Sequence, residues 1–160
     1  MNDAALTTIG MIFGWGVETT KGVKPTEFKE IEECISVGGA GVSVESIDVT
    51  CIKRTRKKYK KGLEDAGDNL PVTFNYSDEF LKQWGEMVTA SKEAAKNGLA
   101  TWFTLYHPER EKACFYIVEP GNPGKPEVGV GGAYQVEVGN TLVDLPDDDT
   151  AVKPTAPAGE

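Results

Sequence analysis

Apolar and polar residues alternate in short runs along most of this chain, and in one stretch the period lengthens to that of a helix. Leu81, Trp84 and Val88, with Phe80 and Met87 beside them, then Ser91, Ala94 and Ala95, recur at helical spacing. The pattern predicts a helix over about 78–97 with Leu81, Trp84, Met87 and Val88 as its packing face. Ser77 is placed to cap it, Asp78 and Glu79 suit the positive end of its dipole, and Asn97-Gly98 stops it. An apolar face of this size needs a sheet to cover.

The alternating runs predict strands. Residues 6–13 read as a strand or extended arm ended by Gly14-Trp15-Gly16, and 19–25 as a loop. Thr26 opens a weak capping pattern, but alternation favours a strand over 29–37, with Ile31, Ile35 and Val37 on one face. The centre of the pattern is 35–67. There a turn with Gly38, Gly39 and Gly41 leads into a strand over 44–52. Val44, Ser46, Asp48 and Thr50 share one face of it, Ile47, Val49 and Cys51 the other, so this strand reads as half buried. A basic loop over 53–61 and a turn with an acidic pair over 62–67 follow, together a long loop of about 53–67. Next comes a strand over 70–76 with Val72, Phe74 and Tyr76 on one face and Pro71 at its start.

After the helix, strands are expected at 99–106 and 112–118, joined by a polar loop at 107–111. A Pro/Gly-rich loop over 119–131 precedes a last strand over 132–143, with Tyr134, Val136 and Val138 on one side. The expected fold class is mainly β (α+β): a two-sheet β-sandwich or partly closed barrel with one flanking α-helix. One domain over 1–143 is expected. Residues 144–160 are acidic and rich in Pro and Ala, and read as a disordered tail.

Composition changes this picture little, but charge changes it more. With 39% hydrophobic and 26% charged residues the chain reads as globular, and its 18 glycines fit tight turns between strands. The net charge of −8 is uneven. Residues 53–61 carry seven Lys/Arg and no acid, residues 144–160 carry −4, and the remainder carries −11. An acidic body would repel phosphate over most of its surface, unlike a general nucleic-acid binder. The three cysteines, Cys34, Cys51 and Cys114, show no CxxC spacing; each lies in a strand-like run and reads as a small buried hydrophobe of a reducing compartment. The first 13 residues carry no basic region typical of a signal peptide, and no run reaches the ~20 apolar residues of a membrane span.

Candidate chemistry is sparse. The single histidine, His107, sits beside Pro108 and reads as a solvated turn residue; a metal site would need further His or Cys at ligand spacing. The Gly38–Gly41 turn lacks the helix and Lys-Ser/Thr of a phosphate loop. The carboxylates of Glu32-Glu33, Glu64-Asp65 and Asp147–Asp149 have no pattern pairing them across a cleft. No catalytic, cofactor-binding or metal residues are therefore expected, and no enzyme. The exception to this blandness is the basic run Lys53, Arg54, Arg56, Lys57, Lys58, Tyr59, Lys60 and Lys61. It reads as a nucleic-acid arm with Tyr59 available to stack, as a localisation-like run or solvated excursion, or as an assembly arm that docks on an acidic neighbour. The acidic remainder favours the last.

The order of motifs carries a resemblance. Ser36–Gly41, then S-x-E-x-I-D-V-T at 43–50, G-L-x-D-x-G-D at 62–68 and the strand 72–76 ending in Asn-Tyr are followed by the helix, the hairpin 101–118 and the strand 133–142. Over roughly 30–142 the chain resembles the major tail tube protein of long-tailed, non-contractile bacteriophages. That resemblance implies a β-sandwich with a flanking helix, hexameric rings whose inner sheets join into a barrel, and a stacked tube through which DNA passes. It implies a virion tail location after assembly in the bacterial cytoplasm, and no membrane partner. It also implies partners in further copies of the chain and in tail-tip, tape-measure and terminator proteins. The fold is similar to the ring-forming tube protein of the type VI secretion system. Residues 144–160 are too few for the immunoglobulin-like domain that some relatives carry. Within this reading the run 53–61 is expected to contact the adjacent ring. Two competing expectations are a nucleic-acid-binding β-domain that uses 53–61, and a secretion-type tube or tail-terminus adaptor.

Overall fold

The computed structural model describes residues 6–7, 9–39, 41, 43–53, 55–65 and 69–156. The expected fold class holds: the protein is mainly β with one helix and two antiparallel sheets, sandwich-like and not a closed barrel. Among the described residues, ten strands and the helix α1 (Asp78–Lys96) run in the order β1 (Ile12–Val17), β2 (Lys29–Glu30), β3 (Cys34–Val37), β4 (Ser43–Asp48), β5 (Tyr59–Asp65), β6 (Asn69–Asn75), α1, β7 (Thr101–Tyr106), β8 (Lys112–Glu119), β9 (Gln135–Asp144) and β10 (Asp149–Thr150). The large sheet has the order β2-β1-β7-β8-β9-β6-β3, with β10 also paired to β8. Strands β4 and β5 form the second sheet by themselves.

The large sheet curls. Phe13 on β1 and Phe74 on β6 have ring centroids 5.6 Å apart, although β7, β8 and β9 lie between their strands. Four flat strand spacings would separate them by ~19 Å. The inner faces of β1, β6, β7, β8 and β9 therefore enclose one core, which includes Phe13, Trp15, Val72, Phe74, Phe103, Val118, Val136 and Val138. Helix α1 packs Phe80, Trp84 and Met87 into the same core, with Phe80 stacked on Phe74 at 4.6 Å. The two ends of the sheet meet at the short link between β2 and β3. There Ile31 N–H donates to the Phe13 carbonyl and Asn75 N–H to that of Glu33. The Gln83 side chain of the helix accepts from Glu32 N–H at 2.9 Å, so α1 is tied to this seam.

The helix ends follow the expected chemistry. The Ser77 hydroxyl accepts from Phe80 N–H at 3.2 Å. At the other end Leu99 N–H donates to Ala94 and Gly98 N–H to Ala95, with Gly98 at φ +72, where a side chain would be strained. The packing face is rotated from the expected one. Trp84 and Met87 are buried and Val88 is half-buried, but Leu81 is exposed and Phe80 takes its place. Phe80 opens the helix directly above Phe74, and the inner stripe then runs through Gln83, Trp84 and Met87.

Several expected elements shift for identifiable reasons. The first strand does not end at Gly14-Trp15-Gly16 but runs through it to Val17, because Gly14 lies where Pro154 presses flat on the strand. The run 29–37 is two strands, β2 and β3, broken at Glu33 (φ +70), where the chain changes partner from β1 to β6; Ile31 is buried but Ile35 is exposed. Of the expected face on the last strand, Val136 and Val138 are buried with Leu142, while Tyr134 precedes β9 and is exposed, its ring against Tyr76.

Residues 145–156 depart furthest from expectation. They pack on the body as a strap rather than forming a disordered tail: β10 pairs with β8, and Thr155 bridges to Lys29. Residues 157–160 lie outside the described residues. Under the strap a second apolar cluster, Phe28, Trp102, Ala113 and Phe115, covers the outer face of β7 and β8. Alternation explains the two layers: Phe103 and Val118 point inward while Trp102 and Phe115 point outward.

Candidate assembly surface

Within 35–67, β4 and β5 pair as a hairpin. The expected strand 44–52 is β4, and the expected basic loop 53–61 is loop only in part, because Tyr59, Lys60 and Lys61 belong to β5. The expected acidic turn at 62–67 is β5 through Asp65; residues 66–68 lie outside the described residues. The register pairs Ser46 with Lys61, Ile47 with Lys60 and Asp48 with Tyr59. The two strands find their ladder partners in each other.

The expectation of half burial fails here. Described side chains from Ser46 to Lys61 are all exposed, including Ile47, Val49, Tyr59 and Cys51; Ile52 at the turn is 102% exposed. The alternation that reads as one buried face is present, but no layer covers its described side chains. Opposite residues of a ladder share a face, which places Ile47 beside Lys60 and Tyr59 beside Asp48. The turn itself is ordered at its base. Val49 N–H donates to the Lys58 carbonyl, and Lys58 N–H donates to the Thr50 hydroxyl at 2.9 Å. The Asp48 carboxylate accepts from both the hydroxyl and the N–H of Thr50, which holds its pKa below the usual carboxylate value.

Of the expected contact residues, Lys53, Arg56, Lys57, Lys58, Tyr59, Lys60 and Lys61 are brought together on this hairpin, all exposed; Arg54 lies outside the described residues. Lys53, Thr55, Arg56, Lys57 and Lys58 line an open hollow of about 440 Å³. The arrangement joins positive charge to exposed aliphatic and aromatic side chains. A purely solvated excursion would need no Ile47, Val49 or Ile52. A second hollow of about 630 Å³ lies between α1 and β1, lined by Trp15, Lys29, Gly85, Glu86, Thr89 and Ala90.

Several buried polar side chains are internal fasteners. Glu18, 4% exposed, accepts from Ala100 N–H and Trp102 Nε1–H, both at 2.9 Å. Nothing in the Glu18-Thr19-Thr20 segment signals this. Asn140 accepts from Gly121 N–H and donates to the Leu70 carbonyl, anchoring the start of the Pro/Gly-rich loop. The signal for its inward position is that it falls in step with Val136, Val138 and Leu142 on one face of the strand. His107 corrects its expectation: it is buried, its Nδ1 accepts from Glu109 N–H, and its Nε2 lies 2.6 Å from the Thr7 carbonyl. It fastens the N-terminal segment to the β7–β8 turn.

The cysteines divide. Cys34 and Cys114 are half-buried as small core-facing groups, whereas Cys51 is exposed on the hairpin, against expectation. Burial pushes the Cys34 thiol up to about 12 and raises that of Cys114. Burial likewise moves the Tyr116 hydroxyl to about 12. Among the described residues no group of three or more His, Cys, Asp or Glu is placed to hold a metal ion, and no helix is long and apolar enough to cross a membrane. Compared with known proteins, no family model matches the chain, and no curated protein matches it.

Proposed function

We propose that this protein is a structural subunit that assembles with copies of itself, as the tail tube subunit of a long-tailed bacteriophage. Rings of six would stack into a tube through which DNA passes, with no catalytic step and no cofactor. The observation that carries this reading is the β4–β5 hairpin. Among the described residues it shares no ladder with the large sheet, and it holds Ile47, Val49, Ile52 and Tyr59 in water beside a cluster of basic side chains. Such a surface gains by covering its apolar groups and by meeting carboxylates, and the acidic body of another copy supplies the carboxylates. The reading places the hairpin against the adjacent ring and keeps the acidic residues as a low-adhesion lining for passing DNA. Tail-tip, tape-measure and terminator proteins are its further partners, and the virion tail its location.

Electron microscopy of the concentrated protein tests this. Rings or tubes are expected; a protein that stays monomeric, or stops at a dimer, at every concentration would overturn the reading. Neutralising Lys57, Lys58, Lys60 and Lys61 to Gln is expected to abolish polymers and leave the folded state intact. The hollow at the hairpin turn, lined by Lys53, Arg56, Lys57 and Lys58, favours a second reading as a nucleic-acid contact. In that case the same variant would lose salt-sensitive retention of DNA or RNA by a monomer.

A further inference from the structure

The strap at 145–156 has a use that the assembly reading leaves open. It crosses the outer face of the large sheet from β8 to β2. Asp149 and Thr150 pair with Ala113 and Lys112 of β8. Ala151 and Val152 lie against Phe28, Trp102, Ala113 and Phe115. Pro154 is buried against Gly14, where a Cβ would come within 2.6 Å of the proline ring. Thr155 N–H donates to the Phe28 carbonyl, and its carbonyl accepts from Glu30 N–H, both at 2.8 Å, which fills the free edge of β2. Charges match along the path. Arg110 meets Asp148 at 2.7 Å, Lys24 meets Asp149 at 3.5 Å, and Lys24 also donates to the Thr150 carbonyl.

We propose that this strap is exchanged between copies, so that in the assembled state the seat on one protomer receives residues 149–155 of a second copy; this rests on the self-assembly reading. The seat and the strap meet as separate surfaces. Each contact above joins the strap to the body, so the strap of another copy reproduces every one of them. The seat does not stay empty, because vacating it would expose Phe28, Trp102 and Phe115 and leave the β2 edge unpaired. Its basic residues, Lys24, Arg110 and Lys112, select an acidic occupant, and the strap brings Asp148 and Asp149. A pivot is present as well. β9 and β10 pair with the same edge of β8, and the link between them, residues 145–148, contains Pro146, which has no N–H to hold it in a ladder. Straightening that link carries the strap off its own body along the direction of β9.

The register names the test, since Lys112 and Thr150 are ladder partners. All variants are full-length and carry Cys51→Ser to remove the exposed thiol. Lys112→Cys and Thr150→Cys are made on separate chains, mixed, concentrated under assembly conditions and oxidised. Exchange predicts a disulfide-linked dimer in the mixture and none with either variant alone. Placing both substitutions on one chain and oxidising it while dilute locks the strap on its own body. That locked protein is expected to fold but not polymerise, and reduction is expected to restore polymers. Polymers that form equally well from locked and reduced protein, with no interchain dimer in the mixture, overturn strap exchange and leave the assembly reading standing. An interchain dimer without polymers supports exchange and overturns the tube. Neither dimer nor polymer overturns both.

Discussion

The curl of the large sheet rests on a contact that a double-mutant cycle measures directly. Phe13 and Phe74 lie on strands separated by three others, yet their rings pack edge to face at 5.6 Å. Replacing either by Leu keeps an apolar side chain of lesser volume and is expected to cost about 1–2 kcal/mol. The edge-to-face pairing itself is worth about 0.5–1.5 kcal/mol beyond buried area. The double variant should therefore lose less than the sum of the single losses by about that amount. With a urea slope of ~2 kcal/mol per molar, each single substitution lowers the midpoint by roughly 0.5–1 M. Urea melts of the wild type, both single variants and the double variant, followed by tryptophan fluorescence, provide the four numbers. Losses that add to within ~0.3 kcal/mol would refute the argument, because rings ~19 Å apart on a flat sheet have nothing to couple.

Three other outcomes are expected. Glu18→Ala strands two buried donors, Ala100 N–H and Trp102 Nε1–H, and should cost about 2–4 kcal/mol in thermal or urea unfolding; a loss under ~1 kcal/mol would show that the carboxylate is not their partner. In native protein at neutral pH a thiol reagent should modify Cys51 rapidly and Cys34 slowly, since burial pushes the Cys34 thiol up to about 12; equal labelling by mass spectrometry would contradict that burial. The strap should loosen in acid. The Thr150 N–H bond within the strap, then nearby Lys24, holds Asp149 below its ordinary pKa; the Lys24 contact is the part that ties strap to body, so that contact is present above the ordinary value and is lost as pH falls through the depressed one, below roughly pH 4. Hydrogen exchange at Thr155 N–H reads this, and protection unchanged down to complete protonation would sink it.

Local chemistry was legible where one short segment decides the outcome. The Ser77 cap, the acidic first turn and the Asn97-Gly98 stop define α1 within the chain itself, and the structure repeats them. The strands over 70–76, 99–106 and 112–118 were likewise legible, and of the face expected on the first, Val72 and Phe74 are buried in the core and Tyr76 is half-buried. The basic cluster was legible as a list of residues, but its form was not. Lys60 and Lys61 look like loop because charge runs are usually solvated, yet they pair with Ile47 and Ser46 as a strand. His107 looked solvated because its partner, the Thr7 carbonyl, lies 100 residues away in sequence.

Sequence by itself determined the class of α1 and of most strands, because periodicity, caps and turn residues act over a few bonds. It also determined that positive charge gathers in one run on an acidic chain. Which faces are covered was decided only by the tertiary structure. The same alternation buries Val72 and Phe74 of β6 and leaves Ile47 of β4 in water, since burial depends on whether another layer lies above the strand. Residues 145–156 have the composition of a free tail, yet they seat on Gly14 and the β2 edge because a bare glycine and an unpaired edge happen to lie on their path. No local pattern encodes that meeting; it arises where chain segments far apart in sequence are brought to a common surface.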